Sequence, residues 1–232
     1  MKTRKLKILA SLGALLLSSG SIFAGPPVAD HSKDKTPIQP LPEICGPWFA
    51  GFNAGVWWVE DYGTNVPFAP GVGDHDVSFE TGFGINATPI GYRVCEMFAV
   101  SLETGFYQAD VDSVTLPAGG GLFTATDGQL RLFPVMVNGT LTFPVSDRLT
   151  LYAGVGVGAV YRELEATVPL VALLGSFHDS GWDCMVQARA GLAFEIADCT
   201  FLNVGYRYNH VFTSPDDIAG HMVEAGITFM WH

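Results

Sequence analysis

Between His210 and His221 the sequence "HVFTSPDDIAGH" places two imidazoles, the hydroxyl of Ser214 and the carboxylates of Asp216 and Asp217 close together along the chain. A base, a hydroxyl nucleophile and an acid are the ingredients of acyl hydrolysis, provided a histidine reaches the serine. A second set is made of charges, Glu80, Glu103, Arg189, Glu195, Arg207 and Glu224. Such a set either lines a path for ions or neutralises itself. A third is made of sulfur, Cys45, Cys95, Cys184 and Cys199, and a disulfide is the chemistry open to it in an oxidising compartment. The scattered acids Asp74, Asp76, Asp110, Asp112 and Asp179 are oxygen donors of the kind divalent cations take, but they lack a recognisable ligand spacing. Which of these chemistries is open depends on the elements that carry the side chains.

The first of those elements is an address. Residues 1–24, "MKTRKLKILASLGALLLSSGSIFA", run from a basic head through an apolar middle to small residues at Ala24. That layout predicts a cleavable secretory signal peptide. Removing Lys2, Arg4, Lys5 and Lys7 leaves 8 Lys+Arg against 23 Asp+Glu, a net charge of −15. Such a chain lacks the basic footprint that nucleic acid requires. Residues 25–47, "GPPVADHSKDKTPIQPLPEICGP", are proline-rich and aperiodic, and predict a periplasmic leader. Over the whole chain only 15% of residues are charged, 48% are hydrophobic and 27 are glycine. The longest apolar run, "VPLVALLGSF" at 168–177, contains a proline and is too short for a spanning helix.

From Trp48 onward the apolar residues fall on every second position. Segments 48–58, 77–94, 98–107, 128–143, 149–162, 182–196, 201–208 and the stretch ending at Trp231 each show the period of two expected of a β-strand. The pattern shifts phase near Pro134, which predicts a bulge there. Connections alternate between roughly eighteen residues and two to five, apart from a shorter last loop. Two architectures suit an exported chain of this kind: a secreted sandwich, with the apolar faces inward, or a transmembrane barrel, with them outward. The second is favoured. The polar faces carry many glycines, which suit a crowded lumen better than a solvated strand. Aromatics such as Trp48, Trp58, Tyr92, Phe143, Tyr161, Trp182 and Trp231 gather at strand ends, where a bilayer interface favours them. The expected fold is therefore all-β, an eight-stranded antiparallel up-and-down transmembrane β-barrel over residues 48–232, with short periplasmic turns and four longer extracellular loops. Its last strand should close on its first.

On that frame Glu80, Glu103, Arg189, Glu195, Arg207 and Glu224 face the lumen, and a salt-bridged plug is preferred to an ion path because buried charges must be paired. Cys45, Cys95 and Cys199 all map to the periplasmic end, so Cys45–Cys95 and Cys45–Cys199 are both open pairings. Cys184 faces lipid as a small hydrophobe. Val168, Leu170, Val171, Leu173 and Leu174 form an apolar outer stretch that either contacts a partner or lipopolysaccharide chains or, the preferred reading, extends the fifth and sixth strands above the bilayer.

The pieces "GPWFAGFNAGVWW", "GYRVCEMFAVSLETGFY", "VNGTLTFPVSDRLTLYAGVGVGAVY", "VQARAGLAFEIADCTFLNVGYRY" and "AGITFMW" resemble, in order and spacing, the eight-stranded outer-membrane barrels of the OmpA-like and opacity-protein type. The resemblance spans residues 46–232. It implies residence in the bacterial outer membrane, contact with its lipid and lipopolysaccharide, and a C-terminal signal at Ile227, Phe229 and Trp231 read by the barrel-insertion machinery. "YRYNHVFTSPDD" also distantly resembles outer-membrane lipid A deacylases, whose His-x-Ser pair is broken here because residue 212 is phenylalanine. The expectation is a non-enzymatic barrel without cofactor or metal, structural or surface-adhesive, presenting loops to a host or cell-surface ligand. The alternative is a narrow porin-like channel for small or hydrophobic solutes.

Overall fold

The computed structural model describes residues 45–60, 62–64, 75–116, 121–124, 127–167, 176–214 and 217–232. Eight strands form a closed antiparallel ring: β1 (Trp48–Val59), β2 (Gly82–Cys95), β3 (Phe98–Leu116), β4 (Asp127–Ser146), β5 (Leu149–Thr167), β6 (Ser176–Ala197), β7 (Thr200–Phe212) and β8 (Ile218–Trp231). Each pairs with the next in sequence, and β8 returns to β1 from Trp48↔Trp231 to Val59↔Gly220. Closure of this kind satisfies the backbone of every strand without leaving an edge in lipid.

The alternation sorts side chains as a membrane barrel requires. Outward positions are apolar and exposed, with Val155 68% exposed and Val157 56% exposed at mid-strand. Two aromatic tiers bound this band. Toward the long connections, Phe83, Phe106, Phe133, Tyr161 and Trp182 touch in series across β2 to β6, with ring centroids 5.0–6.4 Å apart. Trp58, His221, Tyr208 and Tyr206 continue the tier over β1, β8 and β7. Toward the short turns, Trp48 packs edge-on against Tyr92 at 4.8 Å. Along β5 the band runs from Leu151 to Tyr161, the length of strand needed to cross a bilayer at a tilt.

Two sequence expectations change. Pro134 produces no bulge: β3 and β4 keep one register across it, from Thr104↔Val135 to Tyr107↔Leu132, and only the two pairings at Pro134 and Phe133 are skipped. The apparent phase shift has another cause. Leu130, Leu132 and Met136 point inward beside polar Asn138 and Thr140, because the lumen itself changes from apolar to polar with height. A register shift in β2 falls between Ala87 and Ile90, at Pro89, where the outward positions pass from Phe83 and Ile85 to Ile90, Tyr92 and Val94 and so change parity.

The second change concerns the loops. β3, β4, β5 and β6 have 19, 20, 19 and 22 residues, against 12 to 14 in the other four. Much of what reads as loop is therefore strand, rising above the aromatic tier as a wall over half the rim. His75–Phe79 pairs with β3 at Asp76↔Thr115 to Phe79↔Val111, Tyr62–Thr64 pairs with it in turn, and Gly121–Thr124 folds back on Ser113–Leu116. Charge pairs along the wall, such as Arg131 with Glu163, let the ladder continue in water. The apolar stretch Val168–Leu174 lies outside the described residues, as do residues 1–44.

Candidate functional site

Six strands send polar side chains to one level of the lumen. Arg207 on β7 is at the centre and wholly buried. Its Nε and Nη2 donate to Glu224 of β8, each at 3.1 Å. Its Nη1 and Nη2 donate to Glu103 of β3, and Nη1 also donates to Gln187 of β6. Arg189, one inward position from Gln187, donates to Glu103 at 3.1 Å and to Thr140 of β4 at 2.8 Å. Gln187 bridges Glu103 and Asn138, while Tyr107 donates to Asn86 of β2 at 2.7 Å. Two carboxylates face two guanidiniums, so the layer is electrically balanced, as burial demands.

The backbone makes room for these side chains. A Cβ on Gly156 of β5 would lie 2.0 Å from Asn138 Oδ1 and 3.0 Å from Gln187. Only glycine admits so close an approach.

Above the polar layer, toward the wall, the lumen is apolar. Trp57, Tyr107, Leu130, Leu132, Met136, Val160, Met185 and Met222 are all at most 1% exposed and form one packed cluster with Val211 and Ile218. A further ion pair caps it, Arg162 reaching Asp179 at 2.6 Å and Asp183 at 3.0 Å. Below the layer, toward the short turns, a cavity of about 640 Å³ opens between Asn53, Arg93, Tyr152, Arg189, Glu195 and Asn203. The lumen is thus a blind vestibule under two sealed layers, one polar and one apolar.

The residues singled out in the sequence divide accordingly. Glu103, Arg189, Arg207 and Glu224 meet in the layer. Glu195 lines the vestibule with no ion-pair partner among the described residues. Glu80 is not in the lumen: it is exposed in the break between His75–Phe79 and β2, its backbone amide donating to Asp110. The alternation places Glu80 inward only if one strand runs unbroken from 77 to 94, and two residues of that stretch are unpaired. Cys45 is joined to Cys199 in the β6–β7 turn, while Cys95 and Cys184 are free and exposed. Cys199 holds φ at 57°, a left-handed conformation costing a non-glycine residue about 1–2 kcal/mol. Ile227, Phe229 and Trp231 point outward on β8.

The histidines do not meet the serine. His210 lies 3.3 Å from Asp217, and His221 stands on the outer wall between Glu60, at 2.9 Å, and the hydroxyl of Tyr206. No hydrogen bond joins Ser214 to either imidazole among the described residues, and Asp216 lies outside them. Of the scattered acids, Asp179 is bound to Arg162, Asp110 and Asp112 are exposed, and Asp74 is not described. Glu163, Glu165 and His178 bring ligand atoms within 4.8 Å of one another, but Arg131 already supplies Glu163 with a cation. Sequence reasoning missed Asn86, Asn138, Gln187 and Arg162, whose inward phase was legible but whose pairing was not.

Residues 48–230 match the family model described as outer membrane protein β-barrel domain. Among solved structures, the chain is similar to Neisserial surface protein A, with a TM-score of 0.52 and 12% identity, covering 79% of this chain and 97% of the other. It is also similar to the outer membrane protein OprG of Pseudomonas aeruginosa, with a TM-score of 0.51 and 12% identity over 80% and 97% of the two chains. An uncharacterized protein of Brucella abortus is 24% identical over 140 residues, 53% of this chain and 49% of that protein. The chain therefore spans about half the length of the curated relatives it matches.

Proposed function

Because the chain belongs to the outer membrane protein β-barrel family, we propose that it is a non-enzymatic, non-conducting barrel of the bacterial outer membrane. Its role is structural or adhesive: the barrel anchors a β-wall and its loops above the surface. Fold alone does not carry this reading. It rests on the lumen, where Arg207, Glu103 and Glu224 are at most 3% exposed and Trp57, Tyr107 and Met222 pack directly beyond them. An ion crossing this barrel would have to break a balanced charge layer and then part an apolar one.

Signal-peptide cleavage, contact with lipopolysaccharide along the outer tier, and reading of Ile227, Phe229 and Trp231 by the insertion machinery belong to the same proposal. A porin-like channel is the second reading. The vestibule favours it in part, since Arg93 and Glu195 face that space without carboxylate or guanidinium partners among the described residues. Planar-bilayer recording of the refolded chain separates the two. The closed barrel gives no steady unit current, and a reproducible open level would overturn it.

A further inference from the structure

Ser176–Asp183, the upper part of β6, has a strand on one side only. It pairs with β5 from Val160↔Asp183 to Thr167↔Ser176. Its other neighbour, β7, ends opposite Cys184, at the pair Phe212↔Cys184. Among the described residues nothing pairs with the eight-residue edge that β6 raises beyond that point. At the usual rise per residue this edge is roughly 26 Å long. The opposite border of the wall, Tyr62–Thr64, has only three residues, so among the described residues the wall has one long free edge.

The charge around the edge is one-sided. Above the aromatic tier or level with it, β3 to β6 carry Asp110, Asp112, Asp127, Glu163, Glu165, Asp179 and Asp183, while Arg131 and Arg162 are the arginines of the wall. Seven acids against two arginines leave a net charge of −5 before histidines. Ser180 and His178 are exposed on the outer face of the edge, and Trp182 is 66% exposed at its base. An unpaired row of amides and carbonyls is a template for a further strand. A second copy of this chain would bring the same negative surface, and like charges across a ladder are unfavourable. A basic extended segment meets no such opposition.

We propose that Ser176–Asp183 is a docking strand for an extended, basic segment of another protein, which adds to the wall as an extra β-strand. This rests on the adhesive reading above and names the site and chemistry of the contact. The added strand gains main-chain hydrogen bonds from β6, and its lysines or arginines stand next to Asp179 and Asp183, which Arg162 reaches from the β5 side, with Glu163 and Glu165 one strand further off, across β6 at Ser180 and His178.

The test uses the refolded chain in phosphatidylcholine nanodiscs and a fluorescent (Lys-Val)4 peptide, read by anisotropy. Saturable binding is expected, with affinity lower by at least about tenfold for the same peptide N-methylated at every amide, which keeps the charge and loses the hydrogen bonds. A similar loss is expected for the His178→Lys/Ser180→Lys variant, whose changes lie on exposed side chains and whose folding is checked by heat-modifiable gel mobility. A (Glu-Val)4 peptide should not bind. Equal binding of the N-methylated peptide, or no binding of the basic one, overturns the proposal. So does sedimentation of the chain as a dimer that the lysine variant makes monomeric. None of these outcomes bears on conductance, so the docking strand and the closed lumen fail or stand separately.

Discussion

Replacing Arg207 by methionine removes the cation at the centre of the lumen while keeping much of its volume. The structure gives Arg207 five hydrogen bonds, two to each carboxylate and one to Gln187. After Arg207→Met, Glu103 retains Arg189, but Glu224 loses its ion-pair partner with a side chain only 2% exposed. Breaking a buried pair by removing one partner costs about 3–5 kcal/mol, most of it the penalty on the charge left behind. If that accounting is right, Arg207→Met/Glu224→Gln should be less destabilised than the single variant, because Glu103 and Arg189 remain balanced and no orphan carboxylate is left. The expected recovery is at least about 1 kcal/mol, within the coupling range of directly contacting residues. Reversible urea unfolding in detergent, followed by tryptophan fluorescence, gives both numbers from shifts in midpoint at constant slope. A single variant within about 1 kcal/mol of the parent, or a double variant no better than the single, would refute the claim that this layer is dry and charge-balanced. The single variant should also stay non-conducting, since Trp57, Tyr107 and Met222 still seal the lumen above it.

Gly156→Ala should destabilise the barrel by about 1–3 kcal/mol by pressing on Asn138 and Gln187, measurable in the same unfolding assay. Val155→Arg, at the middle of the outward band, should cost about 2–4 kcal/mol in lipid, whereas arginine at Ser180, beyond the tier, should cost less than about 1 kcal/mol. Thiol labelling of the unfolded, unreduced chain should modify Cys95 and Cys184 alone; Cys45→Ser should add Cys199 to that set, and labelling of all four in the parent would exclude the Cys45–Cys199 bridge.

Strand number, order and the sense of the alternation were legible because lipid outside and a filled interior impose one rule on every outward position. What alternation cannot convey is height. Leu130, Leu132, Met185 and Met222 occupy inward positions that the rule reserves for polar groups, and they blur the pattern because half of the lumen is apolar. The charge layer was half visible. Glu103, Arg189, Arg207 and Glu224 share the inward phase, but which of them meet depends on strand stagger, set by pairings such as Gly205↔Glu224 and Arg207↔Arg189. Glu80 has the same periodicity and misses the lumen because of a two-residue break that composition does not mark. The wall was hidden for a related reason: charged residues at its strand ends read as loop, although a ladder in water tolerates them on both faces.

The unequal strand heights give the molecule a front and a back. Within the bilayer the barrel presents the same oily circumference in every direction, so spinning about the membrane normal changes nothing. Above the bilayer the tall staves of β3 to β6 screen one side, while β7, β8 and β1 end near the lipid on the other. Docking on the proposed strand of β6 would then depend on azimuth as well as distance, and crowding that arrests rotation would make a population of these barrels selective for direction of approach.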